Sequence, residues 1–448
     1  MRAICLILLL SLAAAPGAQT KKAVNYDEAK VGSIPIPDPL QCEDGTKVST
    51  TDQWLKKRRP EVLRLFEREV YGKTPQGKLP GTRIELVSEN KNALGGKATM
   101  RQVTLSFSND PRAGVASPRP NEAASLPANA SHPLKVQVLL YLPNANKHPA
   151  PVFVSLNFGG NHSVAKDPTI RLAPGWFRND PKNGYADNQA GEQSRGSSAE
   201  RWPVEAIIAR GYGVATAYYG DFEPDHAGGI GGGVRPLYFK PGQAAPSDDE
   251  WGAIGAWAWG LSRMADYLTT LPEVDAKKLA VLGHSRLGKT SLWAGAQDER
   301  FAIVISNDSG AGGAALSKRI FGETVEVLNR AVPHWFCGNF KKYSDNEGAL
   351  PVDQHELIAL IAPRPVYIAS ATEDLWADPK GEFLSGKLAE PVYALFGKQG
   401  LGTAEPPPAD KSVGDFIGYH ARTGKHDILL FDWERYMDFA DRHWGKPE

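Results

Sequence analysis

Ala280-Val281-Leu282-Gly283-His284-Ser285-Arg286-Leu287-Gly288-Lys289-Thr290 is the stretch whose reading decides the fold. An apolar β-type run ends in Gly-His-Ser, and a helical pattern begins at once. Strand, tight turn and helix in this order make a nucleophile elbow. Such a corner lifts a Ser hydroxyl to where a base reaches it. It also aims the following backbone N–H, at a helix N-terminus, toward an oxyanion forming beside the Ser. The usual elbow spacing is G-x-S-x-G. Here it is G-x-S-x-x-G, with Leu287 in the place of the second Gly.

Around this corner, helices and strands alternate. Helical patterns are read at 203–210, 250–270, 287–296 and 431–444, and strands at 213–218, 278–282, 302–306 and 365–372. Alternation of this kind implies a mainly parallel sheet with helices on both faces. Upstream, 82–88 and 98–107 read as antiparallel strands, and 136–142 and 151–158 as the next two. Residues 52–70 have helical periodicity. The expected fold class is therefore an α/β-hydrolase three-layer sandwich, with a mainly parallel central sheet, N-terminal antiparallel strands and long loop insertions. The insertions fall at 108–135, 163–200 and 221–248, where turn residues crowd. Gly159-Gly160-Asn161-His162 reads as a turn able to offer backbone N–H groups to an anion. No repeat and no second globular domain is evident. Residues 21–448 are expected to form one catalytic domain behind an extended, Pro-rich arm at 21–50.

Lys+Arg and Asp+Glu both number 51 in 448 residues, so the formal net charge is zero. That balance gives no basic stripe for nucleic acid and no acidic tail. Eleven Trp with 45 Gly and 34 Pro fit a loop-rich surface with aromatic platforms suited to sugars, although Trp more often fills a core. Residues 1–20 read as a secretory signal: Arg2, an apolar run from Ile4 to Leu12, then small residues from Ala13 to Ala18. The run is too short to span a bilayer, and no later stretch does so. The expected location is outside the cytoplasm, secreted or periplasmic, and the expected state is a monomer. Cys5 leaves with the leader; Cys42 and Cys337 pair or stay free, and no disulfide framework holds the fold.

In this architecture Ser, acid and His follow in chain order at the ends of later strands. His426, in Gly424-Lys425-His426-Asp427, lies between the last strand and the last helix and is the expected base. His420 sits in a strand-like stretch and His443 at a helix end, so both are poorer candidates. Two carboxylates compete to orient the imidazole. Asp374 follows the strand at 365–372, the usual acid position, and is favoured. Asp308 follows the strand before it and is the second candidate, although an Asx-turn explains an Asp before Ser-Gly equally well. The sequence has no H-E-x-x-H and no compact His/Asp ligand cluster, so no metal and no cofactor is expected.

Gly283-His284-Ser285-Arg286-Leu287-Gly288-Lys289 resembles the G-C/H-S-R-x-G-K signature of glucuronoyl esterases, carbohydrate esterase family 15. Asn307-Asp308-Ser309-Gly310-Ala311-Gly312-Gly313 resembles the loop that follows in that family. Phe321-Gly322-Glu323-Thr324, His334-Trp335-Phe336, Glu373-Asp374-Leu375-Trp376-Ala377-Asp378-Pro379 and Gly424-Lys425-His426 match in order and spacing. The similarity runs over about residues 50–445 and is closest to the bacterial branch. Fungal members carry Cys before the Ser, bonded to a Cys after the His; here His284 and Asp427 stand there, so that disulfide is absent.

The resemblance implies roles. Ser285 would attack the ester carbonyl of a glucuronate, and His426 would serve as general base and then acid. Asp374 would orient His426, with Asp308 sharing or taking that part. Arg286 would support the oxyanion through its backbone N–H and guanidinium. Lys289 and Glu323 would hold sugar hydroxyls, and Trp376 would shape the sugar pocket. The implied substrate is the ester joining 4-O-methyl-glucuronic acid on glucuronoxylan to lignin alcohols. Solvated charges at Arg286, Lys289 and Glu323 and a core Trp376 are the plainer alternatives. An acetyl xylan or feruloyl-type esterase, and a carbohydrate-binding protein with an inactive hydrolase core, are the rival functions.

Overall fold

The structure, a computed structural model, describes residues 23–75, 77–111 and 133–448. The expected leader at 1–20 and most of the 108–135 insertion lie outside the described residues. Nine strands make the central sheet among those described: β1 (Arg83–Ala93), β2 (Ala98–Phe107), β3 (Leu134–Pro143), β4 (Ala150–Asn157), β5 (Gly213–Tyr218), β6 (Val274–His284), β7 (Phe301–Asn307), β8 (Val366–Ala371) and β9 (Ile417–Arg422). Their spatial order is β1-β2-β3-β5-β4-β6-β7-β8-β9. β1 to β3 pair antiparallel, and β3 meets β5 antiparallel. From β5 to β9 every pairing is parallel.

Parallel strands need crossovers, and the helices of those crossovers cover both faces of the sheet. β4 shows the consequence, with all eight of its residues buried. Alternate side chains divide between two cores. Val152, Val154, Leu279, Val281, Val304, Val366 and Ile368 face one core, with the helices Ala253–Leu268, Arg286–Gln297 and Pro379–Leu395. Phe153, Ala280, Leu282, Ile303, Ile305, Tyr367 and Ala369 face the other, beneath Val204–Ala209 and Leu430–Trp444. This is the expected three-layer sandwich. Ligands in such sheets bind beyond the carboxyl ends of the strands, and β6, β7 and β8 all end there.

The insertions at 163–200 and 221–248 pack side chains into the fold. In the 163–200 insertion, Phe177 stacks on Tyr218 at 4.2 Å and lies 5.2 Å from Tyr185. His162 beneath it is fully buried, with Nε2 2.7 Å from Ser194 Oγ. Burial pushes that imidazole down to about 4, so it stays neutral at pH 7. In 221–248, Arg235 grips Glu223 with two prongs at 2.5 and 2.7 Å, both groups buried. Cys42 and Cys337 are buried and unpaired. No helix among the described residues is long and apolar enough to cross a membrane.

Candidate active site

Ser285 stands between β6 and the helix Arg286–Gln297, with φ +58° and ψ −128°. A residue with a Cβ rarely adopts this conformation, and the surrounding bonds must enforce it. Ser285 N–H donates to Asn307 O at 2.8 Å, and Gly288 N–H returns to Ser285 O at 2.8 Å. The two glycines explain the unusual spacing. A Cβ on Gly283 would collide with the Leu287 carbonyl, so the chain folds tightly over this residue. A Cβ on Gly288 would lie 2.9 Å from Ser309 Cβ and 3.1 Å from Asn307 O. Helix and β7 loop therefore lie too close at Gly288 to admit a side chain, one residue beyond the usual position, and Leu287 is free to be a core side chain.

Ser285, Arg286, His284 and His426 line one cleft of about 640 Å³. Phe158, Gly159, Phe177, Tyr218, Tyr219 and residues of the 163–200 insertion complete its walls. The Gly159-Gly160-Asn161-His162 turn thus reaches the cleft through Gly159, while Asn161 and His162 turn inward and are buried.

His426 Nδ1 donates to Asp374 Oδ2 at 2.5 Å. That bond leaves Nε2 as the lone-pair nitrogen. Among the described residues no hydrogen bond closes between Ser285 Oγ and His426; contacts of this type tighten when substrate binds. Asp308 also reaches the imidazole, its φ of +45° turning it back at the end of β7. Asp308, Asp374 and His426 bring donor atoms within 4.8 Å of one another. The expectation of no compact His/Asp cluster is corrected here, because the fold assembles one from three distant segments. Its Nδ1 is already bonded within the cluster.

The two carboxylates are not equivalent. Asp308 Oδ2 accepts from Asp427 N–H at 3.3 Å, and Oδ1 has no partner. Burial raises the Asp308 carboxyl well above the usual range, and the charges of Glu382, Asp374 and Asp432 raise it further. Glu382, fully buried behind the site, accepts from Ser309 N–H at 2.7 Å and Ser370 Oγ at 2.6 Å. It ties the Asp308 loop to the end of β8.

Arg286 leans over two rings, with its guanidinium carbon 5.0 Å from the Trp335 centroid and 5.5 Å from Phe158. It is ion-paired to Asp225. Burial works against its charge, but Tyr219 and Asp225 outweigh that and keep it protonated. His284 packs its ring 4.5 Å from the His426 ring and bonds Asn307 Oδ1 through Nδ1 at 2.5 Å. Burial, and then the charges of His426, Arg201 and Arg286, hold it far below the usual imidazole range, so it is neutral.

Lys289, Glu323 and Trp376 are outside the cleft lining. Lys289 is 2% exposed and donates to Ser309 O, Ala311 O and Glu323 Oε2, each at 2.6 Å. An ammonium has three protons, and all three are committed. A sugar hydroxyl at Lys289 would have to displace or share one of these acceptors. Glu323 N–H donates to Trp376 O at 2.8 Å, and Trp376 is 39% exposed beside Asp374.

Sequence reasoning missed Asp225, Glu382, Tyr219 and the cleft role of His284. Asp225 and Glu382 become neighbours of the site only through long-range packing. His284 and the His334-Trp335 pair stood in matched motifs but carried no assigned part.

Sheet order, elbow and imidazole–carboxylate pair define an α/β-hydrolase. Residues 245–397 match the family model described as glucuronyl esterase, fungi. A carbohydrate esterase of an unknown prokaryotic organism is 49% identical over 425 residues, covering 94% of this chain and 92% of that protein. A glucuronoyl esterase structure from Solibacter usitatus superposes with a TM-score of 0.84 at 49% identity, covering 94% of this chain and 100% of that one. A 4-O-methyl-glucuronoyl methylesterase of Wolfiporia cocos is 40% identical over 154 residues, 32% of this chain and 38% of that protein. The chain belongs to the glucuronoyl esterase family, carbohydrate esterase family 15.

Proposed function

We propose that the protein is an exported serine esterase that hydrolyses esters of glucuronic or 4-O-methyl-glucuronic acid, the linkage that joins glucuronoxylan to lignin alcohols. Ser285 Oγ attacks the ester carbonyl carbon while His426 Nε2 takes its proton. The carbonyl oxygen becomes an oxyanion, stabilised by the Arg286 backbone N–H and guanidinium. Collapse of the tetrahedral intermediate expels the alcohol, which takes the proton back from His426. Water then attacks the acyl-enzyme with His426 again as base, and Ser285 leaves with its proton restored. Asp374 fixes the tautomer of His426 and stabilises the imidazolium that forms in each half. A lost oxyanion donor costs about 2.7–4 kcal/mol of barrier, which sets the scale for Arg286. A uronate ring that extends past the cleft lining toward Asp374 meets exposed Trp376 and, behind it, Glu323 and, by exchange of a carbonyl, Lys289. A cleaved leader at residues 1–20, a monomeric state and independence of metals and cofactors complete the reading.

The observation that carries this reading is the 2.5 Å bond from His426 to Asp374 in the cleft that Ser285 lines. The names of the relatives support the uronic acid as the acyl group. The test compares benzyl glucuronate with acetylated xylan, using the parent protein and Ser285→Ala. Turnover of the glucuronate ester that vanishes in a folded Ser285→Ala protein is expected. Preference for acetylated xylan would move the assignment to an acetyl esterase. Unchanged turnover in Ser285→Ala would remove the mechanism.

A further inference from the structure

One carboxylate beside the cleft takes hydrogen bonds from four side chains. Asp225 is 2% exposed and sits in the 221–248 loop. Its Oδ2 accepts from Arg286 Nη1, and from Tyr219 OH at 2.9 Å. Its Oδ1 accepts from His334 Nε2 at 2.8 Å and from Trp335 Nε1 at 2.7 Å. Trp335 also lies under the Arg286 guanidinium. The cation is thus held from its edge by a carboxylate and from its face by an indole that the same carboxylate holds. Burial would push the Asp225 carboxyl up, but the His334 bond, the Arg286 charge and the Trp335 bond bring it far below the usual range. It is ionised at every working pH.

A full counter-charge beside an oxyanion-stabilising cation weakens that cation. The chemistry of the product gives a reason for it. A uronic ester is neutral. Hydrolysis turns it into an alcohol, a carboxylate and a proton that leaves through His426. The carboxylate oxygens lie where the oxyanion was. An unopposed guanidinium binds a carboxylate strongly and with two prongs. Such a site would retain its own product. Asp225 already occupies the Nη1 prong and offsets the charge.

We infer that Asp225 is a positioning residue that holds Arg286 toward the reacting carbonyl and tempers its charge, so that the site stabilises a transient oxyanion yet releases the acid product. This rests on the esterase reading above. Asn at 225 has the same shape but no charge, and only one acceptor for four donors.

The experiment measures glucuronate affinity by titration calorimetry on the full chain, with glucose as the uncharged control. Asp225→Asn is expected to bind glucuronate about tenfold more tightly with glucose unchanged. Its kcat on benzyl glucuronate falls while KM is kept. In an Arg286→Gln background, Asp225→Asn no longer changes glucuronate affinity, because it acts through the guanidinium. A purely structural Asp225 would move both ligands together. Unchanged or weaker glucuronate binding in a folded Asp225→Asn protein overturns the inference. If circular dichroism shows that this variant does not fold, Asp225→Ser carries the same titration. Binding is read without turnover, so an active Ser285→Ala protein would sink the esterase reading separately.

Discussion

Asp374 and Asp308 approach the same imidazole from beyond two neighbouring strands, but only Asp374 bonds it. The 2.5 Å contact to Nδ1 belongs to Asp374, while Asp308 accepts from the backbone N–H of the next residue, Asp427, at 3.3 Å. Electrostatics separates them. Burial, and then the charges of three other carboxylates, Glu382, Asp374 and Asp432, raise the Asp308 carboxyl well above the usual range. A carboxyl whose charged form is disfavoured in this way is the weaker partner for an imidazolium.

Asp374→Ala is therefore expected to reduce kcat on benzyl glucuronate by about 10⁴, the scale of the loss when the orienting acid of a serine triad is disabled. Asp308→Ala is expected to reduce it about tenfold, through a slackened Asp427 backbone. The two kcat values decide it. A larger loss at Asp308 would hand the orienting role to that residue.

The elbow makes a prediction of a different kind. Gly283→Ala drives a methyl into the Leu287 carbonyl, where backbone meets backbone and neither yields. Gly288→Ala presses on Ser309 Cβ at 2.9 Å, where a loop can shift. Gly283→Ala should give insoluble protein. Gly288→Ala should fold with a loss of about 1–3 kcal/mol, the range for an overpacked site. Soluble yield reads the first and urea denaturation the second, or both where Gly283→Ala stays soluble. Equal losses would mean that the second close approach does not set the spacing.

That spacing shows what a sequence carries and what it does not. Gly283, Ser285 and Gly288 lie within one turn of chain, so their geometry is written in local order. Strands such as 213–218 and helices such as 431–444 were legible for the same reason, through period and punctuation. His426 and Asp374 were legible because this architecture presents them in a known chain order. The helix Pro379–Leu395 escaped because Pro391 interrupts its pattern, and with it went Glu382. The helix Gln354–Ala359 is only six residues long, yet its Asp353…Glu356 capping box was a readable start signal. Asp225 had no local signature at all. It sits in a Gly/Pro-rich loop, and its four donors come from residues 219, 286, 334 and 335.

Glu382 links the site to stability. Its carboxyl is raised from 4.5 to about 7, chiefly by burial, against the bonds from Ser370, Gly310 and Ser309. Between about pH 4.5 and 7 the folded protein keeps a proton that the unfolded chain has lost. Its contribution is present in full below pH 4.5 and is lost as pH rises through 7. Glu382→Gln cannot ionise and removes this slope. Relative to the parent protein, the variant should gain on the order of 3 kcal/mol between pH 4.5 and 8. Urea titrations at the two pH values test this, and parallel pH profiles would assign the proton elsewhere.

Lys289 poses the sharpest choice between scaffold and substrate contact. Its three bonds tie the helix Arg286–Gln297 to Ser309, Ala311 and Glu323, which is the geometry of a strut. Lys289→Met strands Glu323 and leaves two carbonyls short of a donor, so a loss of about 3–5 kcal/mol is expected. Removing the second charge should relieve part of it. The double variant Lys289→Met, Glu323→Gln should recover 1 kcal/mol or more, roughly the coupling of residues in direct contact. Catalysis answers the other half. If Lys289 exchanges a carbonyl for a sugar hydroxyl, KM for benzyl glucuronate rises about tenfold in the single variant, a scale of one hydrogen bond to a charged group. The double variant then recovers stability without recovering KM. Recovery of both together would make Lys289 a strut alone, and the uronate ring would be left to Glu323 and Trp376.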